Sequence, residues 1–343
     1  MAPKVTLKEI AREVGLSPTS VSLVLNNKPC KVSAENKKLI KDVARKKHYV
    51  PNQIARSLVT QHSHTLGLVV PNIESRFFSS LAKNLEVRCR ERGYALFITN
   101  SDGIATNDAE LVRLLVNRGV DGLFLVVSDE LGSDARLLED LTQLPVPYVM
   151  VDRIIEGLTT CDRVRFNNDL GGYLACKHLV EHGHRRIACI ANLNSNTGRE
   201  RVAGYTRALG EAGIAADPEL VLQSDYYIAD GYGAAARLMQ TDVTAVIATS
   251  DNIALGLLKH LYEQGKRVPR DYSVVSYDNS AADILFEPAL SSIEQNVEEL
   301  SEAAIGAMLG RLEEYRAGAE PARAQELLLR PRLVVKDSVT NLA

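Results

Sequence analysis

Residues Tyr49–Thr60, YVPNQIARSLVT, separate two unlike parts of the chain. Residues 1–62 hold 12 Lys+Arg and 4 Asp+Glu, a net +8; the remainder holds 28 and 39, a net −11, giving the −3 of the whole. A basic head on an acidic body predicts that the head alone meets a polyanion, with a solvated charged helix surface as the competing reading. The junction is not a slack linker by composition. Asn52-Gln53-Ile54-Ala55-Arg56-Ser57-Leu58 has no Gly and suffices for two helical turns. A helix this short is marginal alone in water, so it forms only where something else holds it. That conditional folding makes it the candidate switch, against the alternative of a plain flexible linker.

Working back, Thr6-x-x-Glu9 is a capping box that starts a helix at Thr6. Leu7, Ile10, Ala11 and Val14 then share one apolar face, and Gly15 stops the helix. Ser17-Pro18 restarts one, with Ser as cap and Pro at the first helical position. Val21, Val24 and Leu25 form its buried side, while Pro18, Thr19, Ser22, Leu23 and Asn26 face outward. A third helix runs from Ser33 to about Lys47. Two short helices around a tight Gly turn, with a supporting third, give a helix-turn-helix layout, although any three-helix bundle shares the pattern.

VTLKEIAREVGLSPTSVSLVLNN followed by VSAENKKLIKDVARKKHYVPNQIARSL resembles the DNA-binding head of the LacI/GalR family of bacterial transcription regulators. The resemblance implies that Pro18, Thr19 and Leu23 read base edges, that Ser22 and Asn26 bond phosphates, and that Thr6 and Ser17 lie at the DNA surface. It also implies that Asn52, Ala55, Arg56 and Leu58 belong to a hinge helix, helical on DNA, with Leu58 wedged between base steps in the minor groove. Most members carry Arg or another polar residue where this chain has Leu23. Arg reads guanine by a bidentate bond, whereas Leu makes only apolar contact, so the operator differs at that position.

Forward of the junction, short apolar runs alternate with amphipathic helices, which predicts parallel sheets. Candidate strands are Thr65–Val70, Ala95–Thr99, Gly122–Val127, Tyr148–Val151, Arg186–Ile190, Ala245–Thr249 and Ser273–Tyr277. The units are too many for one sheet. The expected fold is an all-α helix-turn-helix domain (1–48), a hinge helix or linker (49–63), and an α/β two-lobed effector and dimerisation domain (64–343), similar to periplasmic binding proteins. Lobe one would take about 64–162 and 294–326, and lobe two about 163–293 and 327–340; these crossings rest on the resemblance more than on pattern.

Ligands of open α/β sheets bind at the carboxyl ends of strands. Polar clusters follow several strands here, among them Asn72–Phe78, Asp152-Arg153, Asn192–Arg201, Ser250-Asp251 and Asp278-Asn279. The resemblance places effector contacts at Phe77, Phe78, Asp152, Asn196, Arg201, Tyr226, Ser250 and Asp278. Asn, Ser and Asp after strands also cap helices, the role expected of Asp251. The effector implied is a sugar or sugar derivative; Asn196-Thr197-Gly198 and Phe77-Phe78 make a nucleobase or nucleoside the alternative.

Other chemistry is not signalled. The five cysteines are scattered without a C-x-x-C pair, so free thiols are expected. His178-x-x-x-His182-x-His184 reads as helix-end and turn histidines rather than a metal site. Gly171-Gly172 is not a phosphate loop, and no nucleophile–base motif occurs, so no enzyme, cofactor or metal is expected. No apolar run nears the ~20 residues of a membrane span. The N-terminal segment also lacks a signal-peptide core, which places the chain in the cytoplasm. Double-stranded operator DNA and a second copy of the chain are the expected partners, and the few residues after Ser338 leave no room for a tetramerising tail. The reading from another class is a soluble binding protein or sugar-processing enzyme with an incidental basic arm.

Overall fold

The computed structural model describes residues 5–49, 62–128, 130, 132, 134–280, 287–318 and 322–342. The hinge residues Asn52, Ala55, Arg56 and Leu58 lie outside them. The chain forms two compact units, Met1–Ser63 and His64–Ala343.

The first unit holds α1 (Leu7–Val14), α2 (Pro18–Leu25) and α3 (Ala34–Lys46). Thr6 and Glu9 form a reciprocal capping box, and Gly15 ends α1 in the left-handed conformation at φ 66°. Ser17 and Ser33 cap the other two helices through their hydroxyls. Ile10, Ala11, Val21, Val24, Ile40 and Ala44 form the core.

The second unit contains two six-stranded sheets. The first uses β1 (Thr65–Val70), β2 (Ala95–Asn100), β3 (Gly122–Leu125), β4 (Tyr148–Val151), β5 (Asp162–Phe166) and β11 (Glu326–Leu329), in the order β11-β5-β4-β3-β1-β2, all parallel. The second uses β6 (Ile187–Ala191), β7 (Val221–Gln223), β8 (Ala245–Ala248), β9 (Ser273–Asp278), β10 (Ser291–Glu294) and β12 (Arg332–Val334), in the order β12-β10-β9-β8-β6-β7. Only β12 among these strands pairs antiparallel.

Helices cover both faces of each sheet. Alternate residues of β1 show why: Leu66 and Leu68 pack with α4 (Arg76–Glu91) and α11 (Val297–Ala317). Val69 points the other way, to α5 (Ala105–Asn117) and α6 (Ala135–Thr142). In the second sheet, Val246 and Ala248 meet α9 (Ile228–Leu238) and α10 (Asp251–Glu263). Cys189 and Ile247 meet α7 (Asn168–Glu181) and α8 (Asn196–Glu211) on the opposite face. All five cysteines are free thiols.

The lobe crossings differ from expectation. β5 pairs with β4 and β11, so the first lobe extends through Phe166 and again through Leu329. The sequence DRVRF conceals this strand. Its inward residues are Val164 and Phe166, while Arg163 and Arg165 are held by Glu326, and Arg165 also by Glu200.

Gly171 and Gly172 have a packing role. A Cβ at Gly172 would overlap the Arg201 carbonyl, and one at Gly171 the Tyr277 hydroxyl. Only glycine lets α7 approach α8 this closely. Gly172→Val should therefore destabilise the body by about 1–3 kcal/mol, seen as a lower denaturation midpoint. Gly210→Ala, on the open side of α8, should instead raise it slightly.

Candidate ligand cleft and nucleic-acid interface

On the head, Pro18 and Thr19 are exposed at the start of α2, while Ser22, Leu23 and Asn26 are half-buried further along. The Asn26 amide donates to the Ser22 carbonyl at 2.7 Å and the Ser22 hydroxyl at 3.3 Å. Thr6 and Ser17 both spend their hydroxyls on caps, accepting from Glu9 N at 3.3 Å and Ser20 N at 3.1 Å. The tip of α2 is thus small and uncharged, with cations such as Lys28, Lys31 and Lys41 supplied by the flanking chain.

In the body, a cavity of about 230 Å³ opens at the carboxyl ends of both sheets. Phe77, Phe78, Asp152, Arg201, Tyr226, Ser250 and Asp278 all line it. Asn196 does not: its amide donates to the Glu130 carbonyl at 3.2 Å, and its neighbour Thr197 takes the place on the wall. Phe77 and Phe78 come from the first turn of α4, packed edge-to-face.

Arg201 forms the floor and is buried. Its Nε donates to Asn168 Oδ1 at 2.9 Å and its Nη1 to the Thr249 carbonyl at 2.6 Å, with the guanidinium 3.8 Å from the Tyr277 ring centroid. Burial opposes its charge, and Tyr277, Tyr226, Asp278 and Asp152 outweigh that opposition.

Two aspartates face it. Asp152 follows β4 at φ 64° and Asp278 ends β9 at φ 85°, so both hold the left-handed backbone that is uncommon outside Gly and least so for Asn, Asp and His. Gln295 Nε2 donates to Asp278 at 2.8 Å. Burial raises the Asp278 carboxyl well above its ordinary range against the pull of Arg201. Asp152 is pushed up to about 6 by burial, opposed by Arg153 and Arg201.

Ser250 and Asp251 divide their labour differently from expectation. Ser250 caps α10 by accepting from Ile253 N at 3.2 Å. Asp251 instead braces the loop after β9, accepting from Ser276 Oγ at 2.6 Å and Ser280 N at 2.8 Å.

One contributor carries no local signal in the sequence, and a second stands there only within the Asp152-Arg153 cluster, with no role assigned. Glu130, buried on the loop after β3, reaches the other lobe, where its carboxylate accepts from the Ser195 and Thr197 hydroxyls and from Thr197 N at 3.2 Å. It sits on the N-terminus of α8, where free N–H groups and the helix dipole favour an anion. Arg153 places its guanidinium carbon 5.3 Å from the Phe78 centroid and 4.8 Å from that of Tyr226, touching rings of both lobes.

Residues 6–52 match the sequence profile of the bacterial regulatory proteins, lacI family, and residues 176–339 that of the periplasmic binding protein-like domain. The HTH-type transcriptional repressor PurR of Vibrio atlanticus (strain LGP32) is 34% identical over 317 residues, covering 90% of this chain and 92% of the relative. The chain belongs to the LacI family. It is a DNA-binding transcriptional repressor of that family, not an enzyme, which sets aside the reading with an incidental basic arm. PurR of Pasteurella multocida (strain Pm70) is 31% identical, covering 98% of this chain and 99% of the relative. The solved complex of the transcriptional regulator CelR with cellobiose aligns at TM-score 0.72 and 30% identity, over 98% of this chain and 100% of the other. The lac repressor dimer bound to operator and the anti-inducer ONPF aligns at TM-score 0.83 over 98% and 100%; at 24% identity it supports the fold. No described helix is long and apolar enough to cross a membrane.

Two predictions arise from this LacI-family cleft. An ordinary carboxyl titrates near about 4. With a folded-state value of about 6, Asp152 lowers stability above that pH, and the cost disappears as pH falls toward about 4. Asp152→Asn, which tolerates the same backbone, should raise the Tm of the free protein near neutral pH and flatten its pH profile across that window. Glu130→Ala removes the inter-lobe acceptor. It should lower stability by about 1–3 kcal/mol and enlarge the unliganded radius of gyration in small-angle X-ray scattering.

Proposed function

We propose that this repressor acts as a homodimer in the cytoplasm and that its operator affinity is set by a small sugar or sugar derivative bound between the lobes. The observation carrying the ligand reading is the pair of carboxylates on left-handed backbone, buried Asp152 and half-buried Asp278, facing Arg201 in one cavity beside Phe78 and Tyr226. Carboxylates accept from hydroxyls, a guanidinium donates to them, and a ring covers the apolar face of a pyranose or furanose. A cavity of about 230 Å³, below the ~300 Å³ at which drug-sized sites begin, suits a ligand of one ring. Phe77, Ser250 and Asn196 complete or flank the proposed contact set. Relatives solved with cellobiose, and with ribose in a LacI-family regulator from Enterococcus faecium at 29% identity and TM-score 0.70 over 81% of this chain and 100% of that one, support it.

A nucleobase is the second reading. A flat cation, the Arg153 guanidinium, already lies against both Phe78 and Tyr226, and a flat ring could take that place. Similar curated relatives are named PurR.

On the DNA side, Pro18, Thr19 and Leu23 read the major groove while Ser22, Asn26, Thr6 and Ser17 face phosphates. Asn52, Ala55, Arg56 and Leu58 form the hinge in the minor groove. The dimer buries the edge strand β2, whose Phe97 and Ile98 are 47% and 42% exposed. Ile104 and Tyr227 continue that apolar surface across the lobes, with the Tyr227 hydroxyl donating to the Asp102 carbonyl at 3.3 Å. Bare apolar edges of this kind are covered in stable proteins. Ligand closure of the lobes changes how the two first lobes face each other, and hence the hinge spacing.

A thermal-shift screen of monosaccharides and nucleobases, followed by gel shifts with each binder, tests the effector. Stabilisation and altered operator affinity with sugars alone support the first reading, and with bases alone the second. Leu58→Ala should weaken operator binding and reduce DNA bending; unchanged affinity and bend would remove the wedge. Ile98→Lys should shift the protein toward monomer in light scattering.

A further inference from the structure

We infer that the ligand is an acid as well as a polyol: a sugar bearing a phosphate or carboxylate group, received by Arg153. This rests on the sugar reading above and goes further by fixing the ligand's charge.

Three arginines line the cavity, and they differ in how their donors are used. Arg201 commits Nε and Nη1 to Asn168 and Thr249. Arg76 is exposed and donates from Nε to the Ser280 carbonyl at 3.3 Å. Arg153 is half-buried, and its guanidinium makes no hydrogen bond or ion pair among the described residues, even with the adjacent Asp152. Elsewhere the half-buried arginines are paired: Arg165 with Glu200 and Glu326, Arg311 with Asp162 and Glu314.

The two rings explain how Arg153 stays in place without a salt bridge. Phe78 and Tyr226 attract the cation through their faces, which leaves its in-plane N–H fork directed at other partners. Such a fork matches the two oxygens of a carboxylate or phosphate, and a neutral hydroxyl uses only part of it. The next group along the wall has the opposite character. The Asp152 carboxylate is buried and likewise makes no hydrogen bond among the described residues, so it is open to accept from hydroxyls. One wall therefore offers an anion receptor and a hydroxyl receptor on consecutive residues. A hydroxylated acid satisfies both, whereas a neutral sugar leaves the fork incompletely used. A bare anion gains nothing from Asp152 and is repelled by it.

The test is isothermal titration of the full-length protein with matched sets: glucose, glucose 6-phosphate and glucuronate; ribose and ribose 5-phosphate; and inorganic phosphate alone. At least one acidic sugar should bind about tenfold or more tightly than its neutral parent, and inorganic phosphate should not reproduce it. Phosphate and carboxylate members separate the two acid groups. Arg153→Gln should erase the preference while neutral-parent binding persists, and Arg153→Lys should keep part of it. Equal binding of neutral and acidic members, or an equal loss of both in Arg153→Gln, would overturn the inference and leave the sugar reading standing. Binding by no sugar in either form overturns the sugar reading and this inference together.

Discussion

A buried guanidinium organises the body of this protein. Arg201 sits where a cation is costly to hold, with no carboxylate bonded directly to it among the described residues. Neutral acceptors from two neighbouring elements and the face of Tyr277 fix its position. Uncompensated charge in such a place demands opposite charge nearby, and Asp152 and Asp278 supply it from two different sheets. Gly171 and Gly172 of α7 serve the same end, the first by leaving room for Tyr277 and the second for the Arg201 backbone. Gly172 lets the backbone of α8 come close enough to hold this side chain at the cleft floor.

The two lobes repeat one strand order, with a crossover strand added at the far edge of each. The repetition brings the carboxyl ends of both sheets to one opening. At those ends the backbone departs from the conformations that most side chains prefer, and it does so at the two aspartates. Strain of this kind persists only where the surroundings over-determine it. Here the sheet fixes one side of each aspartate and the following loop the other.

Much of this was legible in the sequence because the signals were local. The capping box at Thr6, the Ser17-Pro18 start and the Gly15 stop act within four residues of themselves, and the helices of the head begin and end where these place them. Strands with continuous apolar runs, such as Thr65–Val70 and Tyr148–Val151, were equally plain. β5 was not, because its arginines become tolerable only beside Glu326, which lies 163 positions after Arg163 in the chain. At α8 the expected segment reaches the wall through the neighbouring residue. Successive helical positions point about 100° apart, so Thr197 reaches the wall and Asn196 turns from it. Glu130, and the particular role of Arg153, escaped for a different reason. Each owes its place to contact with the opposite lobe, and no periodicity within one lobe encodes that.

The Glu130 contact also bears on dose response. A group that binds the far lobe from within the same chain biases the closed arrangement before any small molecule arrives. Apparent affinity scales with the fraction of molecules already competent. Under the proposed lobe closure, Glu130 would set the concentration at which the repressor responds from a position outside the cavity lining. It gives a point at which that threshold is adjustable.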